Sequence, residues 1–335
     1  MSGTLRPGVH QKPYPWRLAP FKRLPAISRH ACPALETVRG SYHPGRNEDA
    51  LDIYTYRRTY TGPLRAVILD WDGCIVDHGS RASALTMIEL FRRHGVQVDM
   101  PQVRATMGLG QRAQLEALAD MDQVALQWEQ IHGVYPTQRD IYNLYEEFIP
   151  LQTACMADFG KPLPGALEAI KSLRGLGMLI GTTTSYTSDM LRILGAESIR
   201  SGFVPDVSIC ADHVPSGRPH PWMCLKAAME MRRYPMEAIV KIGDTIPDIE
   251  EGLNAGMWTI GIAKTGNEVG LDETELELLS EGDRDARVIG AREKLSRAGA
   301  HYVADSLEDV PQIVDLINRR LADGARQLQC RTCSR

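Results

Sequence analysis

The chain has 335 residues, 43% hydrophobic and 24% charged, enough to bury a sizeable core and unlike a disordered or fibrous protein. No apolar run approaches the ~20 residues of a membrane-spanning helix. Seven irregularly spaced cysteines, without an apolar leader segment, suggest reduced thiols in a cytoplasmic compartment. Net charge is −4, but residues 1–62 hold ten Lys/Arg against four Asp/Glu. Subtracting that +6 leaves −10 for the remainder, which argues against nucleic acid as a partner.

Residues 1–50 carry Pro7, Pro13, Pro15, Pro20, Pro25, Pro33 and Pro44 without sustained periodicity. They read as a Pro/Arg-rich, disordered or loosely draped extension. The basic, acid-poor start leaves an organellar targeting peptide open. Residues 53–60, IYTYRRTY, have strand composition and run into the turn Gly62-Pro63. From residue 64 the pattern alternates. LRAVILD reads as a buried strand, and residues 81–94 as a helix closed by Gly95. Residues 101–158 read as helical almost throughout, with turns near Gly133 and Pro136. Pro164-Gly165 then opens a helix over 166–175, and residues 178–184, 207–211, 238–244 and 258–263 supply four more apolar strands. Short apolar strands separated by helices predict an α/β fold, a doubly wound parallel sheet with helices on both faces. The helical block interrupts that alternation and reads as an inserted domain over 80–158, in a core of 51–79 and 159–322. Residues 323–335 form a tail, whose Cys330 and Cys333 lack a second pair at zinc spacing.

Ligands of such sheets sit beyond the carboxyl ends of the strands. Here those ends carry Asp70 and Asp72, Thr184, a loop around Arg218, and Asp244 with Asp248. Each alone is weak, because an Asp after a strand is often a helix cap. Together they offer carboxylates for a hard cation, a hydroxyl and a guanidinium for a phosphoryl group, and a nucleophile. There is no GxxxxGK[ST], so the chain is not a P-loop nucleoside triphosphatase.

DWDGC, TTTSY, GRPHPW and KIGDTIPD resemble, in order, the four motifs of the haloacid dehalogenase (HAD) superfamily. With DWDGxxxDHG, MGL, YEEF, GTTTSYT and VPSGRPHPWMC, the match narrows to the phosphonatase (phosphonoacetaldehyde hydrolase) group, over about residues 64–305. The resemblance implies a Rossmann-like core with a helical cap, Mg²⁺ as cofactor, and a homodimer. It implies Asp70 as nucleophile, with the cation held by Asp70, the backbone carbonyl of Asp72, and Asp244, supported by Asp248. Thr184, Ser185 and Arg218 would hold the phosphoryl oxygens.

Two departures bear on the reaction. The phosphonatase group cleaves a carbon–phosphorus bond with a cap lysine that forms a Schiff base with the aldehyde. That lysine ends an MGLxK segment, which here reads MGLGQ, so Gln111 stands in its place. No lysine occurs between Lys22 and Lys161. The group's cap histidine is Gln114 here. Conversely, Asp72 stands where the group has alanine; in HAD phosphatases that second aspartate is the general acid/base. The combination predicts hydrolysis of a small phosphate monoester. The alternatives are phosphonoacetaldehyde hydrolysis without a cap lysine, and a non-catalytic HAD-fold binding protein. Candidate specificity residues are His78, Met107, Gln111, Arg112 and Gln114. Of these, His78 reads equally as a loop residue satisfying backbone, Met107 as insert core, and Arg112 as a solvated helix face.

Overall fold

The structure, a computed structural model, describes residues 60–324. The proline-rich extension, most of the strand expected over 53–60 and the Cys330/Cys333 pair lie outside the described residues. Six parallel strands form one sheet in the order β3-β2-β1-β4-β5-β6. They are β1 (Ala66–Leu69), β2 (Leu179–Thr184), β3 (Val207–Cys210), β4 (Ile239–Gly243), β5 (Trp258–Ile262) and β6 (Tyr302–Ala304). The expected doubly wound sheet is present, with one strand more than its sequence suggests. β6 is three residues long, too short to show a period of two, and is recognised by its register on β5, Ile260 opposite Tyr302.

Strand periodicity divides the core. Val67 and Leu69 of β1 point to one face, with Val240 and Ile242 of β4. Ala66 and Ile68 point to the other, with Ile239 and Met223. Burial on both sides is why these strands are continuous β-branched and aliphatic runs rather than alternating ones. Six helices stand between β1 and β2, the first five being α1 (Arg81–Arg93), α2 (Met100–Arg104), α3 (Gln111–Ala119), α4 (Asp122–His132) and α5 (Gln138–Phe159). Gly133, at φ +81°, ends α4, and Thr137 begins α5 through a capping box with Asp140. α6 (Ala166–Gly175) follows as expected, then α7 (Ser188–Arg200), α8 (Trp222–Glu230) and α9 (Ile246–Asn254). α10 (Glu273–Leu278), α11 (Glu281–Arg297) and α12 (Val310–Ala322) complete the core. Among the described residues no helix is long and apolar enough to cross a membrane.

β1 and β4 are neighbours at the centre, where the strand order reverses direction. The crevice at their carboxyl ends is the expected ligand site of such a sheet. Asp70 follows β1 and Asp244 follows β4.

Candidate active site

The β1 strand ends without releasing Asp70 from the sheet, since its N–H donates to the Ile242 carbonyl at 2.9 Å. The chain then turns sharply, with the Trp71 carbonyl accepting from the N–H groups of Ile75 (2.8 Å) and Val76 (3.0 Å). Gly73 sits in this turn at φ +67°, and a Cβ there would lie 2.2 Å from Oδ2 of Asp244. Both the backbone angle and the approach of Asp244 require glycine.

Arg218 reaches Asp70 in a fork, Nη2 to Oδ1 at 2.7 Å and Nη1 to Oδ2 at 3.2 Å. The same guanidinium faces Asp248 (3.1 Å) and Glu251 (3.2 Å) and donates to the Thr183 carbonyl (3.0 Å). Lys241, fully buried in β4, faces Asp248 (2.8 Å) and Glu251 (3.3 Å) and donates to Oγ1 of Thr183 (2.8 Å). Burial alone would raise the Asp248 carboxyl, but Arg218 and Lys241 outweigh it and hold it below the usual range. Burial likewise disfavours charge on Lys241 and Arg218 is repulsive, yet its carboxylate neighbours win and keep it an ammonium.

Asp244 completes the cluster. Its Oδ2 accepts from Ser80 Oγ (2.5 Å) and the Asn267 N–H (2.8 Å), while Oδ1 is buried without a hydrogen-bond partner. Burial, then the charges of Asp70 and Asp248, push its carboxyl well above the ordinary range. Carboxylate oxygens of Asp70, Asp244 and Asp248 all lie within 4.8 Å of one another. With Glu251 these acids number four against two cations, so full ionisation leaves two negative charges uncompensated. Hard oxygen donors, an orphaned buried carboxylate oxygen and that charge deficit fit a small divalent cation.

Asp72 follows Asp70 in the same turn and lines the same cavity. The Tyr186 hydroxyl donates to its Oδ2 at 2.5 Å and itself accepts from Nε2 of Gln152 at 3.3 Å. Burial, then the negative charges of Asp77 and Asp70, raise the Asp72 carboxyl well above its ordinary value, favouring the protonated acid. Thr184 ends β2 with Oγ1 accepting from the Tyr186 N–H (3.1 Å). Asp70, Asp72, Thr184, Ser185, Arg218 and Asp244 line one cavity of only about 20 Å³. The inserted helices cover it with Met107, Gly108 and Gln114. Gly108, at φ +86°, lies so close to the core that a Cβ would stand 2.2 Å from Oγ1 of Thr245.

Other sequence candidates sit elsewhere. Arg112 is on the surface, paired with Glu116 (3.4 Å) and Gln138 (3.2 Å) on a solvated helix face outside the cavity lining. His78 turns away from the cavity, its Nδ1 at 2.8 Å from the Leu271 carbonyl. Gln111 is buried with Nε2 against the Met190 sulfur (3.4 Å) and Oε1 unpartnered, outside the lining of this cavity. Lys241, Glu251 and Tyr186 are site residues that motif reading missed. For two of them a signal existed: Lys241 is a lone cation in an apolar strand, and Glu251 follows Asp248 by one helical turn.

A family model described as haloacid dehalogenase-like hydrolase matches residues 64–256. A phosphonoacetaldehyde hydrolase of Nitratidesulfovibrio vulgaris is 42% identical over 267 residues, covering 80% of this chain and 95% of that protein. A phosphonoacetaldehyde hydrolase-like protein of Syntrophobacter fumaroxidans is 41% identical over 276 residues, covering 82% and 100%. Among solved structures, a phosphonoacetaldehyde hydrolase-like protein from Oleispira antarctica matches with TM-score 0.79 at 35% identity, covering 82% of this chain and 99% of that one.

Proposed function

Because the chain belongs to the haloacid dehalogenase-like hydrolase family, we propose that it is a Mg²⁺-dependent phosphohydrolase that cleaves a small phosphate monoester through an aspartyl-phosphate on Asp70. The observation that carries this reading is Asp72: a second carboxyl in the same cavity as Asp70, fixed by Tyr186.

Arg218 and the hydroxyls of Thr184 and Ser185 bind the phosphoryl oxygens. Asp70, whose two oxygens Arg218 already orients, attacks phosphorus in line. Asp72 gives its proton to the departing alkoxide, then as a carboxylate takes one from the water that attacks the aspartyl-phosphate. Tyr186 holds Asp72 in place for both transfers. Asp70, the Asp72 carbonyl and Asp244, with Asp248 behind them, would hold Mg²⁺. When bound, that ion supplies the positive charge that offsets repulsion between the carboxylates and the phosphate. The helices over 80–158 act as a cap that excludes water from the site.

The relatives' names favour a second reading, phosphonoacetaldehyde hydrolysis. A carbanion leaving group then requires an electron sink. Gln111 is an amide and forms no imine, no lysine lies between Lys22 and Lys161, and Lys241 is held as an ammonium by Asp248 and Glu251.

Phosphate release across phosphate monoesters and phosphonates, with Mg²⁺, tests both. Turnover of alkyl phosphates is expected. In Asp72→Ala their rate falls by about 10²–10⁴-fold, while the first burst of p-nitrophenol from p-nitrophenyl phosphate, whose leaving group needs no proton, loses far less than the steady-state rate that follows. Acetaldehyde release from phosphonoacetaldehyde, with a borohydride-trapped adduct, would instead establish the second reading.

A further inference from the structure

Among the contacts between insert and core is a guanidinium that has no acid to pair with, unlike Arg81, which pairs with Glu275. Arg104, the last residue of α2, donates from Nη1 to the Gly79 carbonyl (2.7 Å) and to both the side chain (2.9 Å) and main-chain carbonyl (3.3 Å) of Asn267. Its Nη2 donates to the Gly270 carbonyl at 2.6 Å. Among the described residues no carboxylate lies within ion-pair distance of it. The seat is shaped for this side chain: Gly270 is at φ +68°, and a Cβ there would lie 2.3 Å from Nε of Arg104. Beside the seat a cavity of about 690 Å³ separates Met100 and Pro101 of the insert from Ile246, Pro247 and Val269 of the core. Along that flank close packing does not bind the two, and the Arg104 hydrogen bonds bridge them.

Two of the groups Arg104 grips lead directly to Asp244. Asn267, whose side-chain oxygen receives Nη1, donates its N–H to Oδ2 of Asp244. Gly79, whose carbonyl receives the same nitrogen, precedes Ser80, whose hydroxyl donates to that same Oδ2. Oδ1 is thereby left buried and free. An arginine of the inserted helices thus braces both donors that set the angle of a core carboxylate.

We propose that Arg104 is a positioning residue: closure of the insert seats its guanidinium on Gly79, Asn267 and Gly270, which fixes Asp244 with Oδ1 presented to a divalent cation. This rests on the metal-dependent reading above. Insert closure and metal affinity are then coupled, and each favours the other. The unpaired guanidinium suits such a role. Carbonyl acceptors hold it strongly enough to order the closed form, but with less than the attraction of a buried ion pair.

Direct binding of Mn²⁺ to the full-length protein, followed by loss of its free electron paramagnetic signal, tests this without turnover. Arg104→Ala is expected to weaken Mn²⁺ binding about tenfold or more, and guanidinium ion in the millimolar range to restore much of it. Gly270→Ala, which displaces the guanidinium but leaves it on the chain, is expected to weaken binding similarly without rescue. It is also the second probe should Arg104→Ala fail to fold. Arg93→Ala, an exposed arginine of α1, serves as the unaffected comparison. Folded Arg104→Ala and Gly270→Ala proteins that bind Mn²⁺ within twofold of wild type would overturn the proposal alone. A wild-type protein that binds no Mn²⁺ and hydrolyses no ester would overturn it together with the proposed function.

Discussion

The sheet edge and the inserted helices form two walls of one cavity from opposite kinds of chemistry. The sheet side is dense with charge: Asp70, Asp244, Asp248 and Glu251 against Arg218 and Lys241, nearly all inaccessible to solvent. The insert side offers a thioether, a glycine, an amide and the hydroxyls of Ser80 and Ser83, with Gln114 Nε2 satisfied only by the Met107 sulfur at 3.2 Å. Charges that must be neutralised by each other cannot be changed singly, so the sheet side is confined to one chemistry. A neutral wall carries no such constraint and can change with the leaving group. Replacing Asp70 with Asn tests the first half of this comparison most severely. Turnover is expected to fall by about 10⁴-fold or more, with no ³²P retained on the protein, whatever ester is offered. Substrate-dependent losses would break the division.

The buried ion cluster yields the next largest effect, read as stability. Lys241→Met leaves Asp248 and Glu251 short of a cation where no water reaches them. Breaking a buried pair from one side costs about 3–5 kcal/mol, measurable by urea unfolding. Pairing it with Glu251→Met removes a charge of each sign and is expected to recover more than half of that loss. The same Lys→Met logic has no counterpart on the insert's cavity-facing wall, where no charge is buried.

The two walls also differ in how openly the chain announces them. Asp70, Asp72, Thr184, Arg218, Asp244 and Asp248 each terminate or follow a strand, and the strands are apolar runs that local periodicity reveals. Even the missed Lys241 stands out inside such a run. The insert's contributions have no local mark. Arg104 is one arginine on a short helix, and its acceptors at Gly79, Asn267 and Gly270 come from loops up to 166 positions away. Arg112 and Gln111 are adjacent to a recognisable turn, yet helical phase sends one to solvent and buries the other against Met190. Hydrophobic pattern identifies which face of a helix is buried, but it does not say what the buried polar groups meet.

Two glycines sharpen the comparison further, since each approaches an oxygen at 2.2 Å if given a Cβ. Gly73→Ala drives a methyl group toward Asp244 inside the charged cluster, where nothing around it can yield. Loss of metal binding is expected, together with about 2–3 kcal/mol of stability by urea unfolding, roughly the cost of overpacking and an αL alanine. Gly108→Ala directs its methyl at Thr245 across the boundary between insert and core, and the insert can retreat as a body. Its stability is expected to fall by only about 1 kcal/mol, while kcat/KM falls about 10–100-fold because the cavity no longer closes. Equal losses of stability in the two variants would show that the walls are one rigid unit.

The junction itself yields an effect that depends on pH. Asp77 joins the turn after Asp70 to α1, its Oδ2 accepting from the Ala82 N–H at 2.9 Å and its Oδ1 buried without a partner. Burial raises its carboxyl from 3.8 to about 6, against the pull of the backbone N–H groups it accepts from. A carboxyl whose folded value is raised favours the native state while protonated. That contribution is fully present below about 3.8 and is lost as pH climbs through about 6. Asp77→Asn keeps the acceptor for Ala82, tolerates the residue's φ of +53°, and has no charge to bury. The variant is therefore expected to match wild type near pH 4 and to exceed it by about 1–2 kcal/mol at pH 7, with the crossover between pH 4 and 6. Parallel urea melts at several pH values check this. A constant difference between the two proteins across that window would mean that Asp77 carries its charge in the folded protein, and that the junction between the walls is solvated rather than buried.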